Sequence, residues 1–564
     1  MDLLVKVVEE IDEPLDVSRE LSSLEASGVA GVSEVHPELQ YSFRHALLQE
    51  AAYGSLLKSE RKKLHAAVGT ALEKVYPQRT DELAGLLARH FGEAGEDERT
   101  LAYSVVAADA AFTRYASAEA ATHYARAVEI ATGSAQDQDR LVHLFLRLGR
   151  ALELTDRYDE AIGAYQQLQE LGRARSAQGL ELAGLVAGAT ALVTPTGRQD
   201  IGRAERLARR ALELARLTGD RAAESRSLWN LMLAYNFSGR DPAVAVEFGE
   251  AALELARQAG GTEQIASTLL DLHWAYLGSG QMDQSFAALD EAIDLWQQIG
   301  DKVMLADSLS CSSGLKLFKG DFQGVIADAE EARLLSEESG SLWGQSFSLL
   351  YVGYALQELG RTQEAMDAMR ECARLAEHSI TIAGQVVTGA DLGLLLVQTG
   401  SRDEGVAIAQ RAWELSHQGS GAYRAWAAAA LARINVLLGE VGEAASLLET
   451  IDPDSAGLFM PLPTRFPLGL ARAEVALAQG DAEGCLSMSR SLAAELARLH
   501  LKFWLPRALL MQARASRALG EIESAIDLAE RARATASEMG SLWSLRPIEA
   551  LLQELRVQSS SRRG

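Results

Sequence analysis

A turn signal returns about every forty residues between Tyr115 and Gly540, and a clock that steady admits only a repeat architecture. The turns fall near Tyr115, Asp156, Gly197, Gly239, Gly280, Gly320, Gly360, Gly400, Gly439, Gly480 and Gly520. A second series, at Gly219, Gly260, Gly300, Gly340, Gly419 and Gly540, marks the other turn of each unit. Asp220, Asp301 and Ser341 directly follow such glycines, where a side-chain oxygen caps the next helix while the glycine closes the previous one. Each unit therefore reads as two helices and two turns. The sequence predicts an all-α solenoid of about eleven helical pairs.

The helices themselves carry the right faces. In Asp220 to Phe237, the residues Ala223, Leu228, Leu231, Ala234 and Tyr235 recur near helical spacing, and in Gln284 to Ile299 the residues Ala287, Ala288, Ala292 and Leu295 offer a small-residue face. The same signature returns at Tyr158 to Ile162, Gln363 to Met366 and Glu521 to Ile526. A composition 48% hydrophobic but only 6% aromatic suits helices packed closely on one another. One helical hairpin cannot bury enough apolar surface alone, so the units must stack in series.

Charge and motif content remove several classes of function. A formal net charge of −24 disfavours general affinity for nucleic-acid phosphates or anionic lipid. Cys311, Cys372 and Cys485 each stand alone in a helical stretch, without disulfide or metal spacing, and read as small core residues. No signal peptide is evident at Met1 to Val8, and the longest apolar candidate, Ala425 to Leu438, is broken by Arg433 and Asn435; a cytoplasmic protein off the membrane is expected. There is no Gly-Lys dipeptide for a phosphate-cradling P-loop, and no HExxH, GxSxG or kinase signature. No catalytic residue, cofactor site or metal site is expected, and the chain reads as a non-enzyme.

The N-terminal region breaks the pattern. Residues 1–27 read as amphipathic helix interrupted at Pro14, followed by a β-hairpin of Val29 to Val32 and Leu39 to Phe43 in which Leu39, Tyr41 and Phe43 share a face. Helices and then a short hairpin suggest the back half of a winged helix. Next come Phe43-Arg44-His45-Ala46-Leu47 with Glu50, Ala52-Tyr53, Leu56-Leu57, Arg61 and Leu64-His65, then Leu87 to Phe91 with His90, Ala102-Tyr103 and Tyr124. This run resembles the junction of bacterial signalling ATPases of the STAND or AAA type, which place a P-loop module before a winged helix and tetratricopeptide-like repeats after it. Many of those proteins carry an adenylate or guanylate cyclase or a kinase domain at the front. The repeats resemble the forty-residue MalT-like variant of the tetratricopeptide (TPR) fold.

Together with the resemblance the sequence predicts a partial winged helix over residues 1–58, a helical junction over 59–96 and a TPR-like superhelix over 97–541; the amphipathic residues after Arg546-Pro547 predict a capping helix over 542–557, and 558–564 are expected to be a disordered tail. The resemblance also implies that the chain is the C-terminal portion of such a protein: a non-catalytic sensor or interaction arm. Its partner would be a protein or peptide, including a nucleotide-binding module in the same or a neighbouring chain; a free-standing adaptor is the alternative. The candidate junction residues are Phe43, His45, Glu50, Tyr53, Arg61, His65 and His90. The three histidines read better as interface residues than as ligands, Glu50 and Arg61 as a pair or as solvated charges, and Lys58, Arg61, Lys62 and Lys63 as a solvated helix face or a domain contact rather than a DNA site. Trp229, Trp274, Trp343 and Trp426, with Trp504 and Trp543, fall on first helices, which line the concave surface in this fold; their scattered register favours packing over a peptide groove. Pro453, Pro461, Pro463 and Pro467 predict a shortened second helix and a longer connection.

Overall fold

Left-handed glycines end the helices where the forty-residue clock places them, as a computed structural model of the chain shows. Gly239, Gly280, Gly320, Gly360, Gly400, Gly439, Gly480 and Gly520 all have positive φ, and Asp156 adopts the same conformation at φ 60°. The predicted caps hold too. Asp220 accepts from the Ala223 amide at 2.9 Å, Asp301 from Val303 and Met304 at 3.0 and 3.1 Å, and Ser341 from Gly344 at 3.2 Å. Gly197 departs from the series, because the carbonyls ending its preceding helix are taken by the Asp200 amide (2.9 Å, at Leu192) and the Gln199 side chain (2.9 Å, at Val193), which leaves no need for a left-handed residue.

The structure describes all residues except 1, 12–13, 35–38, 115, 134–136, 379–381, 419–420, 452–463 and 564. Tyr115, Gly419, Pro453, Pro461 and Pro463 therefore lie outside the described residues. The chain divides into two compact units, Met1–Ala191 and Leu192–Gly564, each described by itself.

The first unit opens with α1 (Asp2–Glu10), α2 (Val17–Ala26), β1 (Ala30–Glu34), β2 (Gln40–Phe43) and α3 (Ala46–Ser55). The strands pair antiparallel with Ala30 opposite Phe43 and Val32 opposite Tyr41, the hairpin expected from sequence. There follow α4 (Lys58–Val75), α5 (Ala84–Ala94), α6 (Asp97–Thr113), α7 (Ser117–Gly133), α8 (Gln138–Glu153), α9 (Tyr158–Ala174) and α10 (Gln178–Val193). Val7 of α1 packs on Ala67 and Ala71 of α4, so the first helix joins the junction helix through small residues. Leu72, Leu87 and Phe91 continue that core, and Gly69 leaves the space that the Phe91 ring fills.

The second unit consists of α11 (Ile201–Thr218), α12 (Arg221–Ser238), α13 (Pro242–Ala259), α14 (Thr262–Ser279), α15 (Met282–Ile299), α16 (Lys302–Lys319), α17 (Phe322–Glu338), α18 (Leu342–Glu358) and α19 (Thr362–Glu377), then α20 (Ile382–Thr399), α21 (Arg402–Ser416), α22 (Gly421–Leu438), α23 (Val441–Glu449), α24 (Arg465–Ala478), α25 (Ala482–Arg498), α26 (Leu505–Ala518), α27 (Ile522–Glu538) and α28 (Leu542–Arg563). Even-numbered helices touch even-numbered neighbours two places on and form the inner layer. They are buried around most of their circumference, as in α18, where Phe347, Leu350, Tyr351, Tyr354 and Ala355 point in several directions. Odd-numbered helices bury one stripe, such as Met282, Ser285, Ala288, Leu289, Ala292 and Trp296 of α15. Ala287, expected on that small-residue face, is exposed instead. Exposed ion pairs link successive outer helices, Arg257 to Glu291 and Arg370 to Glu404, at 2.7 and 2.9 Å, each contributing under about 1 kcal/mol.

Two sequence expectations about the C-terminal half have clear outcomes. The helix before the proline-rich connection is indeed short, α23 having 9 residues. The segment 558–564, expected to be disordered after a separate capping helix, is instead helical as far as Arg563, because α28 begins at Leu542 and runs through Pro547. Pro547 lies in the second turn, where it forfeits a single backbone bond, and buried Ile548, Leu551, Leu552 and Leu555 anchor the turns that follow. No breaker stands between Pro547 and Gly564.

Candidate functional site

Within the second unit the inner layer curves until its last helices meet its middle ones. The Phe503 amide donates to the Phe318 carbonyl at 3.2 Å, and Leu542 lies against Gly360. Glu358, at the end of α18 and only 1% exposed, accepts from Arg507 of α26 and from the hydroxyls of Ser541 and Ser544, the last at 3.1 Å. A carboxylate so buried persists only when its lone pairs are filled, and here three donors from distant sequence fill them.

Behind this clasp stands an aromatic wall. Trp504 contacts Phe318, Phe466 and Phe503 with ring centroids 5.2, 5.4 and 5.0 Å away, and the Arg507 guanidinium lies 4.9 Å from the Phe503 ring. Asp391 of α20 accepts from the Tyr354 hydroxyl and, at 3.0 Å, from the Trp426 indole. Burial pushes its carboxyl up to about 6, against the opposing pull of those two donors and of Arg433 and Arg507. Arg433 forms a bidentate pair with Glu474 at 2.8 and 3.0 Å. Two cavities open among these groups. One, of about 80 Å³, lies between Tyr354, Asp391, Trp426 and Trp504, and the other, of about 350 Å³, lies between Arg433, Arg507, Arg514 and Trp543.

Toward the start of the second unit the same design recurs with another carboxylate. Trp229 donates to Asp271 at 2.8 Å, and burial raises Asp271 to about 7, with the Asp307 charge adding to the effect. Asp307 is raised to about 6 by burial. His273, fully buried with Nδ1 on the Leu270 carbonyl, is pushed down to about 3 by desolvation. The tryptophans picked out in the sequence thus sit on inner helices. Trp229 and Trp426 are hydrogen-bonded to inner carboxylates, Trp274 is buried beside His273, and Trp343 stacks on Phe347 at 4.9 Å. The carboxylates that receive Trp229 and Trp426, Asp271 and Asp391, are not singled out in the sequence. A lone Asp among apolar residues of an inner helix was the available signal.

In the first unit the structure gathers four of the seven junction residues. The Tyr53 hydroxyl lies 3.0 Å from His65 Nε2, and His65 Nδ1 lies 2.9 Å from His90 Nδ1. If Tyr53 donates to Nε2, His65 donates from Nδ1 to His90, and each nitrogen is used once. Burial lowers both imidazoles, His90 to about 4 with help from His65 and Arg89, which favours their uncharged forms. Arg61 covers the Tyr53 ring at 4.9 Å and donates to the Leu56 and Gly54 carbonyls at 3.1 and 3.4 Å, not to Glu50. Phe43, His45 and Glu50 stay exposed and apart from this cluster. The expectation that histidines here fill helix interfaces suits His65 and His90 but not His45, which precedes α3 without capping it.

Among the described residues no group of three or more His, Cys, Asp or Glu side chains is placed to hold a metal ion. All three cysteines are buried and free, and burial raises their thiols, Cys485 to about 11, away from nucleophilic reactivity. No described helix is long and apolar enough to cross a membrane.

Comparison with known proteins bears on architecture. A family model described as "Tetratricopeptide repeat" matches residues 352–379, which cover the end of α18 and all of α19. No curated protein matches. Among solved structures, the apo form of RapI is 14% identical, over 50% of this chain and 99% of its own, with a TM-score of 0.38. Aspartyl phosphate phosphatase F from Bacillus subtilis is 12% identical over 65% and 95%, with a TM-score of 0.42. A Rap protein complexed with competence and sporulation factor is 12% identical over 78% and 98%, with a TM-score of 0.35. The paired helices, their left-handed turns and the matched repeat agree on one architecture, an all-α TPR-like solenoid with a small N-terminal hairpin.

Proposed function

We propose that this chain is a protein-interaction scaffold that serves as the non-catalytic sensing arm of a bacterial signalling ATPase or nucleotide cyclase. In this reading the hairpin and α3 dock on a nucleotide-binding module, in the same or a neighbouring chain, and the solenoid receives the ligand or protein that controls it. Residues 1–58 act as the partial winged helix, 59–96 as the junction and the helices beyond as the receiving array.

The observation that carries the docking half is α3 itself. It buries none of its residues, and Leu47 and Leu57, 77% and 66% exposed, stand beside exposed Phe43, Leu48 and Tyr53. A helix that buries none of its residues, with large apolar side chains exposed on it and on either side of it, needs a partner. The resemblance of this stretch to ATPase junctions names the partner's class.

The test is binding of the P-loop protein encoded in frame with, or beside, this chain. Leu47→Asp with Leu57→Asp should weaken that complex by about a hundredfold, since two buried leucines contribute roughly 3 kcal/mol, with no change in the circular dichroism of the free chain. A chain with no such P-loop neighbour, whose partners bind the double variant as tightly as wild type, would instead be the free-standing adaptor.

A further inference from the structure

The 350 Å³ cavity of the second unit is formed where α20, α22, α24, α26 and α28 converge. Three guanidiniums reach its wall: Arg433, Arg507 and Arg514. Two of them are already answered. Glu474 gives both its oxygens to Arg433, and Glu358 holds Arg507 from behind the wall. Arg514, partly buried, has no hydrogen bond or ion pair among the described residues; burial works against its charge, and the charges of Glu474 and Glu554 support it from a distance. Apart from Gln398 and Ser544 the remaining wall is apolar, with Val436, Leu477, Leu510, Met511, Trp543 and Ile548.

A partly buried arginine whose planar fork makes no hydrogen bond to the described residues has donors left for a ligand. The cavity volume of about 350 Å³ lies within the range of small-molecule sites. Neighbouring Glu474 would repel a doubly charged group more strongly than a singly charged one, so the fork suits a single negative charge. The planar fork of arginine matches a carboxylate, and the aliphatic wall asks for an apolar body.

We infer that the Arg514 cavity binds a small monocarboxylate with an aliphatic body, its carboxylate on Arg514 and its chain against Val436, Leu477, Leu510 and Ile548. The inference deepens the proposed ligand-receiving role of the solenoid by naming the ligand's chemistry. Its test uses the chain alone, so it succeeds or fails whether or not an ATPase partner exists.

Titration calorimetry of the full chain with octanoate, octanol, acetate and inorganic phosphate separates the contributions. Octanoate should bind the wild type more tightly than any of the other three, and Arg514→Met should weaken it at least about tenfold, the loss of one charge-assisted bidentate contact. Arg514→Lys, which keeps the charge but not the fork, should fall between and guards against misfolding of the methionine variant. Equal binding of octanoate by wild type and Arg514→Met, octanol binding as tightly as octanoate, tighter binding of phosphate, or no binding of octanoate at all would each overturn the assignment.

Discussion

Replacing Glu358 with alanine removes the acceptor on which Arg507, Ser541 and Ser544 converge, and with it the polar tie between α18 and the last inner helices. The carboxylate is 1% exposed and its arginine partner 19%, so the pair is largely out of water. Removing one member of such a pair costs about 3–5 kcal/mol, chiefly because the other is left charged and desolvated. The low end applies here. Arg507 keeps some solvent and the field of Asp391, so the expected cost is about 3 kcal/mol. A solenoid need not unfold in one step, and the loss should therefore appear locally, as detachment of α28. Amide hydrogen exchange over residues 545–555 should accelerate by about a hundredfold in Glu358→Ala. In Glu358→Gln, which keeps acceptors for the serines but not the charge, the increase should be about tenfold. Adding Arg507→Met to Glu358→Ala should recover most of the protection, because the stranded charge is gone. If exchange in α28 stays within about threefold of wild type in Glu358→Ala, the clasp does not hold this helix and the reasoning is wrong.

Two further outcomes follow from the same geometry. Gly320→Ala meets both a left-handed φ of 90° and the Met539 side chain, whereas Gly300→Ala meets φ 80° with open space around it. Both should lose about 1 kcal/mol for the backbone, and Gly320→Ala about 1 kcal/mol more for contact; equal melting shifts would mean that α16 and the end of α27 do not meet. The two units should also respond to pH with opposite signs. Asp271, Asp307 and Asp391 are raised in the folded state to about 7, 6 and 6, so between about pH 4 and 7 the folded second unit holds more protons than the unfolded chain. It should gain stability as pH falls from 7 to 5, although His273, lowered to about 3, opposes this below about 6.5. His65 and His90 are lowered, so the first unit keeps their contribution above about pH 6.5 and loses it as pH falls toward 4. Exchange of α4 and α5 against α14 and α20, corrected for intrinsic rates, reads both slopes, and Asp271→Asn should flatten the second; slopes of the same sign would contradict the assignment.

The sequence by itself determined everything that depends on neighbours along the chain. The glycine clock, the caps at Asp220, Asp301 and Ser341, the hairpin of Ala30 to Phe43 and the short α23 are legible because φ preferences, capping oxygens and alternating faces act over a few residues. Gly197 and the C-terminal segment misled for the converse reason: whether a glycine must turn, or a helix run on past Pro547, depends on what receives the freed carbonyls and the buried face. The tertiary structure alone decided that the array closes within its second unit. Glu358 meets Arg507 at a separation of 149 residues and Ser544 at 186, and no repeat encodes that meeting. It results from a small rotation between neighbouring helical pairs, summed over several of them, and a sum of small angles is set by side-chain packing at every interface at once. The division at Ala191, the pairing of His65 with His90 and the cavity beside Arg514 belong to the same category: they exist only where separately written segments arrive together.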